Sequence, residues 1–139
     1  MYALTAKAMK YVDEYTIAAG IQSAVLMENA AKGAVDEITK RFPDKSAEFL
    51  VVCSSGNNGG DAVCVARWLL HLGYSVNVYF IGTLENASEE FARQVKILAK
   101  AYPDVQIAGL RGDSDLEVIR KEYASIIDGI FGIGLNKKI

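Results

Sequence analysis

An α/β fold with a mainly parallel sheet is predicted by three observations. The first is the run Phe49-Leu-Val-Val-Cys53, apolar at every position, as a strand buried on both faces must be. The second is its continuation through Ser, Gly and Asn into apolar residues at helical spacing: Ala62, Val65, Ala66, Leu69 and Leu70. The third is the later alternation of short β-branched segments with helical segments, which describes right-handed βαβ crossovers.

In chain order, Thr5 to Ala19 places Ala8, Met9, Val12, Thr16 and Ala19 at helical spacing, and Gly20 ends this helix. A second helix is expected from Ser23 to Arg41, burying Val25, Leu26, Ala30, Ala34, Val35 and Ile38, with Pro43 beyond its end. Both precede the first strand, so they are expected to form an N-terminal layer against the sheet. Glu28 and Asn29 interrupt the apolar face of the second helix, and the solvated and buried alternatives for them stay open. After the helix that follows the first strand, Gly73 is a stop and Ser75 to Ile81 is a second strand. Gly82-Thr83 turns the chain. Ser88 can cap a helix reaching Ala101, with Phe91, Val95, Ile97, Leu98 and Ala101 inside and Pro103 after it. Val105 to Ala108 reads as a third strand, Asp113 to Glu122 as a short helix, and Ala124 to Asp128 as a fourth strand.

The chain has 139 residues, the size of one domain spanning 1–139, and 51% of them are hydrophobic, enough for a substantial core. A net charge of −2 supplies no basic field, which argues against nucleic acid as the main partner. No apolar run reaches the length of a membrane span and the N-terminus lacks a signal-peptide layout, so a cytoplasmic location is expected. Cys53 and Cys64 match no zinc spacing and read as small buried hydrophobes. His71, the single histidine, is expected on the surface at a helix end.

Two stretches carry chemistry. Ser54-Ser-Gly-Asn-Asn-Gly-Gly-Asp61 is rich in residues that tolerate positive φ, so a sharp turn could aim several N–H groups at one anion. The positive end of the next helix would add to that cradle. The stretch matches neither G-x-x-x-x-G-K-[ST] nor G-x-G-x-x-G, and a plain turn with Asp61 as helix N-cap is the alternative. Asp128-Gly-Ile-Phe-Gly-Ile-Gly-Leu-Asn-Lys-Lys138 follows the fourth strand and brings a carboxylate to the same sheet edge. Asn58 and Asp128 could offer oxygen ligands to a cation there; the alternative is that Asp128 caps a backbone turn.

Ser55-Gly-Asn-Asn-Gly-Gly-Asp61 leading into Val65-Ala-Arg67, with Asp128-Gly-Ile-Phe-Gly-Ile-Gly-Leu135, resembles the YjeF N-terminal domain, the NAD(P)H-hydrate epimerase family. Asp13-Glu-Tyr-Thr-Ile17 and Leu26-Met-Glu-Asn-Ala30 are similar to that family's opening helices. The resemblance implies a Rossmann-like, three-layer α/β/α domain with two N-terminal helices. It also implies an isomerase that interconverts the R and S forms of hydrated NADH or NADPH. By motif, Asn57, Asn58, Gly59, Gly60 and Asp61 would bind the dinucleotide, and Gly132, Ile133, Gly134, Leu135, Asn136, Lys137 and Lys138 would wall its phosphates. Asn58 and Asp128 would hold one potassium ion per subunit. Asp61 and Asp128 are the candidate acids within the chain, while the family's Asp-x-Pro-Ser-Gly segment, which would supply the main candidate acid/base, the remaining cation ligand and another substrate contact, is not in this sequence. The chain is accordingly expected to be an incomplete domain that is inactive alone. Ala62 stands where the family has glycine, and Ser54-Ser55 where it has Gly-Pro. Also implied are a homodimer and a fused or separate hydrate dehydratase, and, as a reading of a different class, a non-catalytic scaffold module.

Overall fold

The computed structural model describes residues 6–112, 117 and 122–130. The elements are α1 (Ala6–Ala18), α2 (Ser23–Arg41), β1 (Glu48–Ser54), α3 (Asn57–His71), β2 (Ser75–Ile81), α4 (Glu89–Ala101), β3 (Ile107–Leu110) and β4 (Ser125–Gly129). The strands form one sheet in the order β3-β2-β1-β4, and every pairing is parallel. The chain steps outward from β1 through β2 to β3, then crosses back to place β4 on the other side of β1. That reversal makes the carboxyl edge between β1 and β4 a topological switch point, where open α/β sheets bind ligands.

Register explains the core. Phe49, Val51 and Cys53 lie beside Val76, Val78 and Phe80, so alternate residues of the two central strands make one apolar face. Helix α3 lies on that face with α2 and α4 packed on either side of it, contributing Val63, Ala66 and Leu69 from α3, Met27, Ala31 and Val35 from α2, and Phe91 and Leu98 from α4. Each of the Val, Leu, Met and Phe side chains among them contributes about 1.5–3 kcal/mol by leaving water. Edge-on aromatic contacts, Phe42 to Phe49 and Phe80 to Phe91 with ring centroids 5.5 Å apart, tie the flanks to the strands.

Several expectations change. The buried stripe of α2 is Met27, Ala31 and Val35, while Val25, Ala30 and Ala34 face outward. Helix α2 packs on α3, so the inward stripe is set by one helix partner and not by a sheet. In α1, Val12 is exposed, Ala19 lies exposed just beyond its end, and Met9 and Thr16 lie outside the described side chains. In α4 the fully buried position between Phe91 and Leu98 is Gln94, whereas Ile97 and Ala101 are exposed. The third strand begins two residues later than expected, and the helix expected at 113–122 lies mostly outside the described residues.

Candidate functional site at the carboxyl edge

The Asn-Gly stretch is not a loop but the first turn of α3, which begins at Asn57 with Gly56 as its N-cap. Asp61, the fifth helical residue, is therefore not the cap. No positive φ occurs between Ser54 and Asp61; among the described residues the glycines at positive φ are Gly20, Gly73 and Gly82. The glycines here serve close approach. A Cβ on Gly59 would fall on the Ser54 carbonyl, so the helix can start directly against the end of β1 only without a side chain. Gly56 N–H donates to Ser54 Oγ at 3.3 Å and Gly60 N–H to Gly56 O at 3.0 Å, which fixes the turn.

This helix end differs electrostatically from that of α4. Gly56 supplies no side-chain cap and the first turn of α3 carries no acid. At α4, Ser88 Oγ accepts from Phe91 N–H at 3.1 Å, and Glu89 and Glu90 occupy the first turn. The roughly half unit of positive charge at the start of α3 therefore meets no acidic side chain within its first turn.

Strand β4 delivers Asp128 to the same edge. Asp128 pairs in register with Val52 and Gly129 with Cys53. A Cβ on Gly129 would stand 2.5 Å from Ala62 Cβ and 3.4 Å from the Asn58 carbonyl oxygen. The absence of a side chain there brings the β4 end against the first turns of α3. It also places the Ala62 methyl, which is buried, against β4. Asp128 is exposed and its Oδ1 accepts from Ile130 N–H at 2.9 Å, so the turn-capping role is realised. A carboxylate has further lone pairs, so capping leaves it competent for a second partner. Asn57 is exposed, while Asn58 and Asp61 are partly buried and each makes contacts within the fold. The edge therefore assembles Asn57, Asn58, Gly59, Gly60, Asp61 and Asp128, and Gly132 to Lys138 lie outside the described residues.

Two features escaped the sequence reading. Glu28, on α2, accepts hydrogen bonds from Arg67 Nη2 and, at 2.9 Å, from Trp68 Nε1, both on α3. Asn29 beside it is exposed, on the solvated face, whereas Glu28 is partly buried. The second is the β2–α4 connection: Ser88 N–H donates to Ser55 O at 2.8 Å, and Gly82 lies against the Ser55 side chain. Replacing Glu28 with Ala should lower stability by about 2 kcal/mol, because a guanidinium only 20% exposed loses its counter-charge. Equilibrium denaturation of Glu28→Ala against Glu28→Gln, which keeps an acceptor for Trp68, would measure this; equal midpoints for wild type and Glu28→Ala would refute it.

Both cysteines are free and buried, and burial pushes each thiol up to about 12, so neither is a nucleophile near neutral pH. His71 is exposed at the end of α3, as expected. Among the described residues no cluster of three or more His, Cys, Asp or Glu side chains could hold a metal. A cavity of about 510 Å³ lies at the opposite, amino edge of the sheet, lined by Glu48, Ser75, Asn77, Asp104 and Tyr123 among others. None of the expected site residues borders it, and neither a helix N-terminus nor the switch point opens there. Among the described residues, no helix is long and apolar enough to cross a membrane.

Comparison with known proteins shows the family and the fold. Residues 23–139 match the family described as YjeF-related protein N-terminus. A Limosilactobacillus reuteri (strain DSM 20016) protein named NAD(P)H-hydrate epimerase is 40% identical over 137 residues, covering 98% of this chain and 61% of its own length. A Weissella koreensis protein of the same name is 38% identical over 138 residues, covering 99% and 58%. The chain therefore spans about three fifths of the length of these relatives. A crystal structure of yeast YNL200c superposes with a TM-score of 0.83 at 23% identity, over 100% of this chain and 60% of that one, and shows the same Rossmann-like fold. With its glycine-built helix start joined to the Asp128 strand end, the chain belongs to the YjeF-related N-terminal domain family.

Proposed function

We propose that the protein is an NAD(P)H-hydrate epimerase, an isomerase that interconverts the R and S forms of hydrated NADH and NADPH. The observation that carries this is the contact of Gly129 with Asn58 and Ala62, which brings the end of the strand bearing Asp128 against the start of α3. The proteins named NAD(P)H-hydrate epimerase in the relatives support it at 38–40% identity.

In this reading the backbone N–H groups of Asn57, Asn58 and Gly59 receive the pyrophosphate at the N-terminus of α3. Lys137 and Lys138, with Gly132 to Asn136, close the other side. The available donors beside the switch point are a backbone carbonyl, side-chain amides and one carboxylate, an oxygen set suited to a hard, singly charged cation such as potassium. Asn58 and Asp128 would hold it, and its charge would offset that of the phosphates. Inverting C6 of the hydrated ring requires a proton to leave and return to a hydroxyl or ring nitrogen. Asp61 and Asp128 are the carboxylates this edge provides for that task, next to whatever acid or base the rest of a longer protein adds.

We assign the protein to the cytoplasm, where free cysteines persist. A second copy is the proposed partner of the N-terminal helices, whose Tyr11, Tyr15, Ile17, Ile21 and Val25 are exposed. A hydrate dehydratase, fused or separate, would consume the S form. The scaffold alternative has no use for a strand end packed through Gly129 against a helix start that carries no acid in its first turn, and the enzyme reading is preferred for that reason. The test is conversion of purified R-NADHX to the S form by the full-length protein with potassium present, followed by chromatographic separation of the two. Interconversion well above the spontaneous rate is expected; none above it would overturn the assignment.

A further inference from the structure

The dinucleotide reading leaves unassigned the half of the ligand that does not face β4. Phosphates placed at the start of α3 sit at the switch point, so one nucleoside extends over β4 and the other over the carboxyl end of β2. What lies over β2 is the connection Gly82-Thr-Leu-Glu-Asn-Ala-Ser88. It is fixed to the phosphate end of the site. Ser54 and Ile81 are register partners, so β1 and β2 end level with each other. Ser88 N–H donates to Ser55 O at 2.8 Å, and Gly82, at φ +110°, packs so closely that a Cβ would stand 2.6 Å from Ser55 Oγ. Thr83 Oγ1 accepts from Asn86 N–H at 3.2 Å, which folds the tip. Glu85 is exposed on that tip, and among the described residues no ion pair engages it.

The charge at this corner is one-sided. The connection contains no Lys or Arg. The α4 helix start beside it is internally capped by Ser88 and carries Glu89 and Glu90. The first cation along α4, Arg93, is held by both oxygens of Glu90 at 2.9 and 3.0 Å. In dinucleotide-binding α/β sites, an acid about 20 residues beyond the glycine-rich turn accepts from the ribose 2′-hydroxyl, whereas a nearby arginine accommodates a 2′-phosphate; Glu85 stands in the connection four residues beyond the end of β2.

We propose that Glu85 is a specificity-determining residue of the dinucleotide site: its carboxylate accepts from the adenosine 2′-hydroxyl and opposes a 2′-phosphate, so the hydrate of NADH is preferred over that of NADPH. This rests on the epimerase reading only in placing a dinucleotide at the edge. Two probes separate the claims. Calorimetric titration of the full-length protein with ADP-ribose and with its 2′-phosphate should show at least about tenfold tighter binding of the former, from like-charge repulsion at a wet surface. The ratio of kcat/KM for the two hydrates should lean the same way. Glu85→Lys should erase or reverse both preferences, and Glu85→Asp should keep them. Equal affinity for the two nucleotides, or a Glu85→Lys variant with an unchanged preference, overturns the proposal. Preferential binding without turnover supports Glu85 and overturns the epimerase reading, while binding of neither nucleotide overturns both.

Discussion

Gly59→Ala should cost more than about 3 kcal/mol, and on a domain of this size it is expected to leave much of the protein unfolded at 37 °C. The added methyl has nowhere to go. It would fall on the carbonyl oxygen of Ser54 and stand 2.8 Å from that carbonyl carbon and 3.2 Å from a ring carbon of Phe91. The first two atoms are backbone at the end of the central strand, whose hydrogen bonds to β2 and β4 hold it. The third belongs to a ring that is fully buried. None is the flexible end of a side chain, so relief requires moving the helix start away from the sheet. Gly33 on α2 is the control: it is helical, a methyl added there meets nothing within 4 Å, and its change to Ala should add about 0.5–1 kcal/mol. Urea denaturation of the two variants decides the point. If Gly59→Ala unfolds within about 1 kcal/mol of wild type, the close approach of α3 to β1 is not what the glycine is for.

The contrast between these glycines also shows what the sequence could and could not convey. Apolar runs and helix periods placed β1, β2, α2 and α4 to within a residue or so, because a strand buried on both faces and a capped helix each leave a local pattern. Composition marked the Asn-Gly stretch as the link between β1 and α3, but its geometry was not legible. Glycine signals both positive φ and close packing, and only the neighbour across the gap distinguishes them. Which stripe of α2 is buried failed for a related reason. Ala and Val spread around that helix satisfy more than one apolar face, and the choice of Met27, Ala31 and Val35 is made by α3. Gln94 was invisible because a buried amide interrupts the period that identifies a core. Glu28 stood out but could not be assigned, since its partners Arg67 and Trp68 stand some forty positions away.

Asp128→Asn should leave the fold intact and lower epimerase turnover by about a hundredfold, in the range that positioned acid, base or charge contributions supply. The substitution separates two roles that the carboxylate combines. Its Oδ1 caps the turn by accepting from Ile130 N–H, and an asparagine oxygen accepts the same bond at a position where Asx turns favour either residue. Because the side chain is exposed, the change should move stability by no more than about 0.5 kcal/mol. What disappears is the negative charge at the switch point and, on the proposed function, the cation ligand and proton acceptor assigned to it. Potassium titration of activity should therefore flatten in Asp128→Asn while the denaturation midpoint stays in place. Asp128→Ala loses the turn bond as well, and should show both effects. If Asp128→Asn turns over R-NADHX at the wild-type rate with the same potassium dependence, the carboxylate is a turn cap alone. The acid and the cation ligand would then have to be sought in Asp61 and in residues beyond the β4 end.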